Sequence, residues 1–144
     1  MRIHEVMGAK AAHQEVVSIS PDASIRDLIK LLADHNIGAA VVADANQAIV
    51  GIVSERDVVR KLASIDQILT APVSAIMTAE VHTCSSDDAL DEIRSLMTQQ
   101  RVRHVPVLDG GQLIGLISIG DVVKSHIDQV EFERDQLDSY VHQT

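Results

Sequence analysis

The stretch 51–59 reads Gly-Ile-Val-Ser-Glu-Arg-Asp-Val-Val, and the chain repeats it at 115–123 as Gly-Leu-Ile-Ser-Ile-Gly-Asp-Val-Val. In both copies an apolar run leads into a Ser-x-x-Asp turn, and two further apolar residues follow the aspartate. Ser-x-x-Asp is typical of a capping box, in which two side chains satisfy the first amide groups of a helix. Each copy therefore predicts a strand, a tight turn and a helix. A cap is the simplest role for the serine and the aspartate.

A longer duplication surrounds these two copies. Residues 15–47 match 80–112 at a constant offset of 65, and after a one-residue gap near Ala48 the offset is 64. Two copies with so long a period do not form a solenoid. We therefore predict two half-domains packed about a pseudo-twofold axis. The predicted boundaries are 1–66 for the first repeat, 67–127 for the second and 128–144 for a C-terminal helical tail.

Each repeat carries the same order of predicted elements. Ser20-Pro21-Asp22 and Ser85-Ser86-Asp87 are helix-start signals, and turn residues such as 44–46 separate two apolar strands. A short lead-in precedes each repeat, Val6-Met7 for the first and Ile76-Met77 for the second. Because so small a sheet cannot bury its own apolar face, each half needs the other. The predicted fold class is α/β (α+β).

Composition excludes several classes of protein. The chain has 144 residues, with 12 Lys and Arg against 21 Asp and Glu, and its formal net charge is −9. With one Phe, one Tyr and no Trp, it lacks the basic field and the stacking rings that hold nucleic acid polymers. The same negative charge disfavours binding to an anionic membrane surface. No apolar run reaches the roughly 18 residues of a membrane-spanning helix, and residues 1–5 do not resemble a signal peptide. We expect a soluble cytoplasmic protein with neither nucleic acid nor membrane as a partner.

The repeated turns and one nearby strand carry groups that suit a nucleotide. The turn aspartate offers two acceptor oxygens for vicinal ribose hydroxyls, and a helix start favours phosphate. Arg103 and His104 are adjacent at the start of a predicted strand, where an arginine fork can hold phosphate oxygens. The alternative is that both are ordinary surface residues. Pro106 predicts an edge strand or a first strand position, because it cannot donate to a ladder.

Together, the tandem order, the helix starts, the Val-Pro-Val strand and the Gly-x-x-Ser-x-x-Asp turns resemble cystathionine-β-synthase (CBS) domains over about residues 1–127. The resemblance implies a non-catalytic regulatory module with a cleft that binds an adenosine nucleotide. AMP, ADP or ATP is the expected ligand, so that the module senses energy state and signals by a conformational change. NAD(H) or S-adenosylmethionine is the alternative ligand, and no metal is expected. The family also implies a homodimer, and the protein target is unknown.

The resemblance further implies two sites in the cleft, each built from both repeats. In the first site, the resemblance implies that Ser54 and Asp57 bind the ribose and that Arg103 and His104 bind the phosphate. The adenine would contact Thr83, Cys84, Val105 and Pro106. In the second site, it implies that Ser118 and Asp121 bind the ribose and that Arg56 binds the phosphate. The adenine would contact Ser18, Ile19, Gly38, Ala39 and Ala40. Since Gly38 and Ala39 stand where the other repeat has two cationic candidates, we expect the first site to prefer charged nucleotides. We expect the second site to bind its ligand with lower affinity, to favour an uncharged ligand, or to share a dinucleotide with the first site.

The single cysteine, Cys84, has two interpretations. His82-x-Cys84 suggests a metal or thiol site, but a third and a fourth ligand are not visible in the sequence. A small buried hydrophobe is the favoured interpretation.

The C-terminal tail suggests a function of a different class. Ile127, Val130, Leu137 and Val141 follow heptad spacing, which Arg134 interrupts. Such a stripe suits a partner helix or docking onto its own domain. The alternative function is therefore a constitutive dimerisation or interaction protein with an empty cleft.

Overall fold

The computed structural model describes residues 1–11 and 16–142. Residues 16–82 form one compact unit, and the described residues on both sides of that segment form the other. Along the chain the helices and strands are α1 (Ile3–Ala11), β1 (Ser18–Ile19), α2 (Ile25–His35), β2 (Ala39–Ala43), β3 (Ile49–Ser54), α3 (Glu55–Lys61), β4 (Cys84–Ser85), α4 (Leu90–Gln100), β5 (His104–Asp109), β6 (Gln112–Ser118) and α5 (Ile119–Val141). The predicted mixture of helices and strands is confirmed.

Each unit contains one three-stranded sheet of the same topology. The strand orders are β1-β2-β3 and β4-β5-β6. In each sheet the first strand runs parallel to the central strand, and the central strand pairs antiparallel with the third. Strand pairing shows the one-residue gap of the duplication, because Val42 pairs with Gly51, nine positions on, whereas Val107 pairs with Gly115, eight positions on. Five residues, 44–48, join β2 to β3, whereas Gly110 and Gly111, both with positive φ, join β5 to β6.

The core of the 16–82 unit lies between α2, the sheet and the segment that follows α3. Ile25 and Leu28 of α2 are fully buried with Val53 and with Val73, which belongs to a 3-10 turn at Val73–Ala75. Further along, Thr78 exchanges two backbone hydrogen bonds of 2.9 Å with Ile52 of β3. The segment that leads into the second repeat therefore completes the core of the first.

The other unit is completed in the same way by α1. Ile3, Val6 and Met7 are buried with residues of the second repeat. The Ile3 amide donates to the Asp88 carbonyl and the Leu90 amide donates to the Met1 carbonyl, both at 2.9 Å. In the chain each lead-in precedes one repeat, but it packs with the other. The boundaries of the compact units therefore differ from those of the sequence repeats.

The helix-start prediction at Ser20-Pro21-Asp22 is also corrected. These residues form a turn in which the Asp22 amide donates to Ser20 Oγ at 3.2 Å. Helix α2 begins at Ile25, and Ser24 is its cap because its hydroxyl accepts from the Asp27 amide at 3.1 Å. A turn and a cap thus occupy neighbouring positions, and both use the side chains that favour helix starts.

Helix α5 runs unbroken from the second repeat into the tail and is 23 residues long. From residue 126 to residue 142 every residue is exposed. Arg94 Nη1 lies 3.3 Å from Nδ1 of His126, the first residue of this exposed stretch. None of the helices in the described residues is long and apolar enough to cross a membrane.

Candidate functional site

The two repeated turns form the same capping box. In the 16–82 unit the Ser54 amide donates to Asp57 Oδ2 at 2.8 Å, and the Asp57 amide donates to Ser54 Oγ at 3.3 Å. In the other unit the Ser118 amide donates to Asp121 Oδ2 at 2.8 Å, and the Asp121 amide donates to Ser118 Oγ at 3.1 Å. The simplest role predicted for these residues, a helix cap, is confirmed in both copies.

The cap uses only part of the Asp57 carboxylate. Oδ2 accepts from the Ser54 amide and also from the Ser54 hydroxyl, at 2.8 and 3.1 Å. Within the described part of the chain no hydrogen bond reaches Oδ1 of Asp57. One half-buried acceptor oxygen therefore stays available at this turn, and the ribose role stays a prediction.

In the 16–82 unit, the predicted adenine-binding residues lie on or directly before two neighbouring strands of the sheet. Ser18 and Ile19 of β1 pair with the middle of β2, and Ala39 at the start of β2 lies opposite Ser54. The Glu55 amide donates to the Gly38 carbonyl at 2.9 Å, which joins the start of α3 to the start of β2. We call Gly38 and Ala39 the β2 start. Ala39 and Ala40 are buried, so they can offer a ligand little beyond their backbone.

The equivalent end of the other sheet carries the cationic candidates. His104, the first residue of β5, lies opposite Ser118, and the Ile119 amide donates to the Arg103 carbonyl at 2.8 Å. We call Arg103 and His104 the β5 start. Arg103 is exposed and His104 is half-buried. Thr83, which is exposed, directly precedes β4, the neighbouring strand of the same sheet.

Pro106 does not occupy an edge strand or a first strand position, so that prediction is wrong. It is the third residue of the central strand β5, opposite Leu116. In the other unit the equivalent Val41 donates its amide to the Val17 carbonyl at 3.3 Å. Proline has no N–H and cannot make this bond. The ladder between β4 and β5 accordingly begins one residue later, at Cys84.

Cys84 is a core residue. Its side chain is 5% exposed and packs in the cluster that contains Leu90 and Val107. Burial, with a smaller contribution from the Asp88 carboxylate, raises the pKa of the thiol to about 11. Among the described residues, no three His, Cys, Asp or Glu side chains are placed to share a metal ion. The interpretation of Cys84 as a small hydrophobe is confirmed, so a ligand at β4 would meet its backbone.

Glu55 received no role from the sequence, although it lies directly beside the β2 start. Its Oε1 is 3.6 Å from the position that a Cβ on Gly38 would take. In the other unit Ile119 occupies the equivalent place after the turn serine. The signal was present in the duplication, because the pair Gly38 and Glu55 aligns with the pair Arg103 and Ile119. Arg56, the predicted phosphate ligand of the second site, is the next residue of α3 and is exposed.

Within each unit the predicted residues are therefore brought together as two groups. The 16–82 unit holds Ser18, Ile19, Gly38, Ala39, Ala40, Ser54, Arg56 and Asp57. The other unit holds Thr83, Cys84, Arg103, His104, Val105, Pro106, Ser118 and Asp121. The pairing of one group with the other in a shared cleft stays a prediction.

Comparison with known proteins agrees with the duplication. The sequence profile of the CBS domain matches residues 6–64 and 73–128. The mitochondrial CBS domain-containing protein CBSX3 of Arabidopsis thaliana is 33% identical over 146 residues, which cover 96% of this chain and 71% of the relative. A crystal structure of a CBS-domain containing protein from Agrobacterium tumefaciens is similar with a TM-score of 0.81 and 39% identity, covering 88% of this chain and 99% of that one.

A third comparison concerns a protein with a bound ligand. A CBS domain protein from Pyrobaculum aerophilum, whose structure is that of a complex with AMP, is similar with a TM-score of 0.72 and 29% identity. The match covers 84% of this chain and 89% of that one. With two matches to the family profile in tandem and relatives along most of its length, the chain belongs to the CBS-domain family.

Proposed function

We infer that this chain is a non-catalytic regulatory module that binds an adenosine nucleotide. The observation that carries the inference is the β5 start, where Arg103 and His104 lie beside a Ser-x-x-Asp turn at the end of a sheet. An arginine fork and a histidine suit phosphate oxygens, which an adenosine nucleotide supplies. The AMP complex of the Pyrobaculum aerophilum relative supports the same ligand class.

The roles of the residues follow the family resemblance. Asp57 would hold ribose hydroxyls through Oδ1, since Oδ2 is occupied by the cap. Adenine would lie against Thr83 and the backbone of Cys84 and of 102–106, with phosphate at the β5 start. The second site would use Ser118 and Asp121 with the β2 start, Ala40, Ser18, Ile19 and Arg56.

A ligand of this kind signals only if it binds one conformation better than another. The two groups of predicted residues belong to different units, so a ligand that contacts both would favour one arrangement of the units. Binding would then report the ratio of AMP to ADP and ATP as a shift between conformations. NAD(H) and S-adenosylmethionine carry the same adenosyl group and are the alternative ligands.

The test is a calorimetric panel of AMP, ADP, ATP, NAD, NADH and S-adenosylmethionine against the full chain. A thermal-shift panel supports it, because a ligand at 100 times its Kd stabilises a fold by about 2.7 kcal/mol. Binding of an adenine nucleotide, with loss of affinity in Arg103→Ala, is the expected result. If no adenosyl compound binds at millimolar concentration, the proposal is wrong.

A second candidate function, constitutive dimerisation, rests on α5. Ile127 and Val130 are each 50% exposed and Leu137 is 66% exposed, and the three share one stripe of the helix. Pairing of this stripe with a second copy would give a homodimer that needs no ligand. Sedimentation of Leu137→Ser, with Phe132→Ser on the opposite side of the helix as the control, tests this. A wild-type chain that sediments as a monomer would exclude it.

A further inference from the structure

The β2 start and the β5 start share the same backbone hydrogen bond but have side chains of opposite charge beside it. One backbone hydrogen bond joins residue 55 to residue 38 at 2.9 Å, and its equivalent joins residue 119 to residue 103 at 2.8 Å. Each bond places the residue after the turn serine beside the residue before the strand. In one unit this pair is Ile119 and Arg103, whereas in the other it is Glu55 and Gly38.

Glycine gives the β2 start no side chain with which to offset the carboxylate. Glu55 Oε1 lies 3.6 Å from the Cβ position of Gly38, so the acid is directed over the strand start. Within the described residues Glu55 forms no ion pair. Arg56, expected from the sequence to bind phosphate at the second site, is the next residue along α3. Residues at i and i+1 of a helix do not face each other, so the proposal departs from that expectation. The side chain that the structure places beside the Cβ position of Gly38 therefore carries a negative charge.

We propose that the β2 start takes an adenosyl ligand whose 5′ substituent is neutral or cationic, such as a hydroxyl, a thioether or a sulfonium, and that Glu55 sets this preference. The inference rests on the proposed function, because it assumes that an adenosyl group binds at each strand start. Phosphorylated ligands belong at the β5 start, where Arg103 replaces the glycine and Ile119 replaces the acid. One chain then has two sites that discriminate on charge.

The expected size of the effect follows from Coulomb's law. Two unit charges about 4 Å apart interact by about 1 kcal/mol in water and more where water is partly excluded, which corresponds to about fivefold or more in affinity. A phosphate near Glu55 is disfavoured by this factor, and a sulfonium is favoured by it. The ratio of affinities for adenosyl ligands whose 5′ groups differ in charge is therefore the quantity to measure.

The experiment uses the full chain with Asp57→Asn, which weakens the first site while Asn still offers an acceptor oxygen to the Ser54 amide. Calorimetry then compares adenosine, AMP and S-adenosylmethionine at the remaining site. We expect AMP to bind about fivefold or more weakly than adenosine. Adding Glu55→Gln should bring AMP to within about twofold of adenosine and remove any preference for the sulfonium. Glu133→Gln, which removes the same charge from the exposed tail, is the matched control and should leave the ratio unchanged.

The reciprocal variant is Ile119→Glu in an Asp121→Asn background, and it should weaken AMP at the β5 start without changing adenosine. If adenosyl ligands bind but Glu55→Gln leaves the ratio of AMP to adenosine unchanged, the inference is overturned and the proposed function stands. If no adenosyl ligand binds the wild-type chain, the proposed function is wrong, and the inference that rests on it is wrong as well. Matching thermal melts of wild type and Glu55→Gln establish that a change in ratio is not a change in folding.

Discussion

The side-chain methyl of Met7 in α1 fills the space beside Gly115 in β6 that a Cβ at this glycine would need. The same arrangement recurs in the other unit, where a Cβ on Gly51 would lie 2.7 Å from Sδ of Met77 and 3.0 Å from the Thr78 carbonyl oxygen. The glycine of each Gly-x-x-Ser-x-x-Asp string is therefore a packing position. It lets the methionine of a lead-in lie against the sheet.

Replacing Gly115 by alanine should destabilise the fold. The added methyl group must displace the methyl end of Met7, which is a flexible side chain in a buried position. We therefore expect a loss at the low end of the overpacking range, about 1 kcal/mol. Urea unfolding measures the loss in free energy of unfolding. Gly8→Ala in α1 is the control, because nothing lies within 4 Å of its Cβ position, and alanine in a helix gains up to about 1 kcal/mol over glycine.

The Met7→Ala variant tests whether the clash with Met7 causes the loss of stability in Gly115→Ala. If the clash is the reason, adding Gly115→Ala to Met7→Ala costs less than adding it to wild type, by about 0.5 kcal/mol or more. Strict additivity of the two changes would contradict the contact.

Removing the Asp57 carboxylate should weaken binding of an adenine nucleotide and also loosen α3. We expect Asp57→Ala to lose about 1.5–3 kcal/mol of binding free energy, the range for a hydrogen bond to a charged group, and about 0.5–2 kcal/mol of stability from the broken cap. Calorimetry gives the first quantity and urea unfolding the second. Asp57→Asn separates them, because its amide oxygen can still accept from the Ser54 amide while the charged acceptor is lost. Unchanged affinity for AMP in Asp57→Ala would remove this residue from the site.

The Cys84 thiol should make stability fall at high pH. Its pKa rises from 9.0 to about 11 on folding, so between these values the unfolded chain releases a proton that the folded chain keeps. The contribution to stability is fully present below pH 9 and is lost as pH rises toward 11. Urea unfolding at pH 8 and pH 10.5 should show a larger decrease for wild type than for Cys84→Ala, with other groups cancelling in the difference. Equal decreases would contradict the burial of the thiol.

Deleting residues 128–144 should cost little stability. Val130, Phe132 and Leu137 are 50%, 64% and 66% exposed, so the tail contributes little buried apolar area to either unit. We expect less than about 1 kcal/mol, by urea unfolding of the truncated chain. If the deletion instead halves the sedimenting mass, the tail holds a second copy, as the second candidate function requires.

Local patterns predicted the elements of this fold well. The Ser-x-x-Asp strings are caps in both units, and each is preceded by the expected strand. The first residues of the helices were harder to predict, because Ser20-Pro21-Asp22 favours a turn as strongly as it favours a helix cap. In the second repeat α4 begins at Leu90 with no side-chain cap, and Asp88 instead accepts from the Ser85 amide at 2.8 Å.

The position of Pro106 shows why the remaining errors arose. A missing donor was expected to exclude it from a central strand, and yet it lies in one. The neighbouring strand β4 begins at Cys84, one residue later than its equivalent β1 begins in the other unit. The length of a partner strand is a property of pairing between distant segments, and no local pattern encodes it.

By itself the sequence determined the order of strands and helices and the turns that carry Asp57 and Asp121, because each depends on residues close together in the chain. It also determined the duplication, which is visible by comparing two stretches of the sequence directly. Only the tertiary structure decided where the lead-ins pack, that Met7 needs Gly115, and that the carboxylate of Glu55 lies over Gly38. These relationships join residues up to 108 positions apart or follow from strand register. They depend on which surfaces are complementary in shape once the sheets have formed.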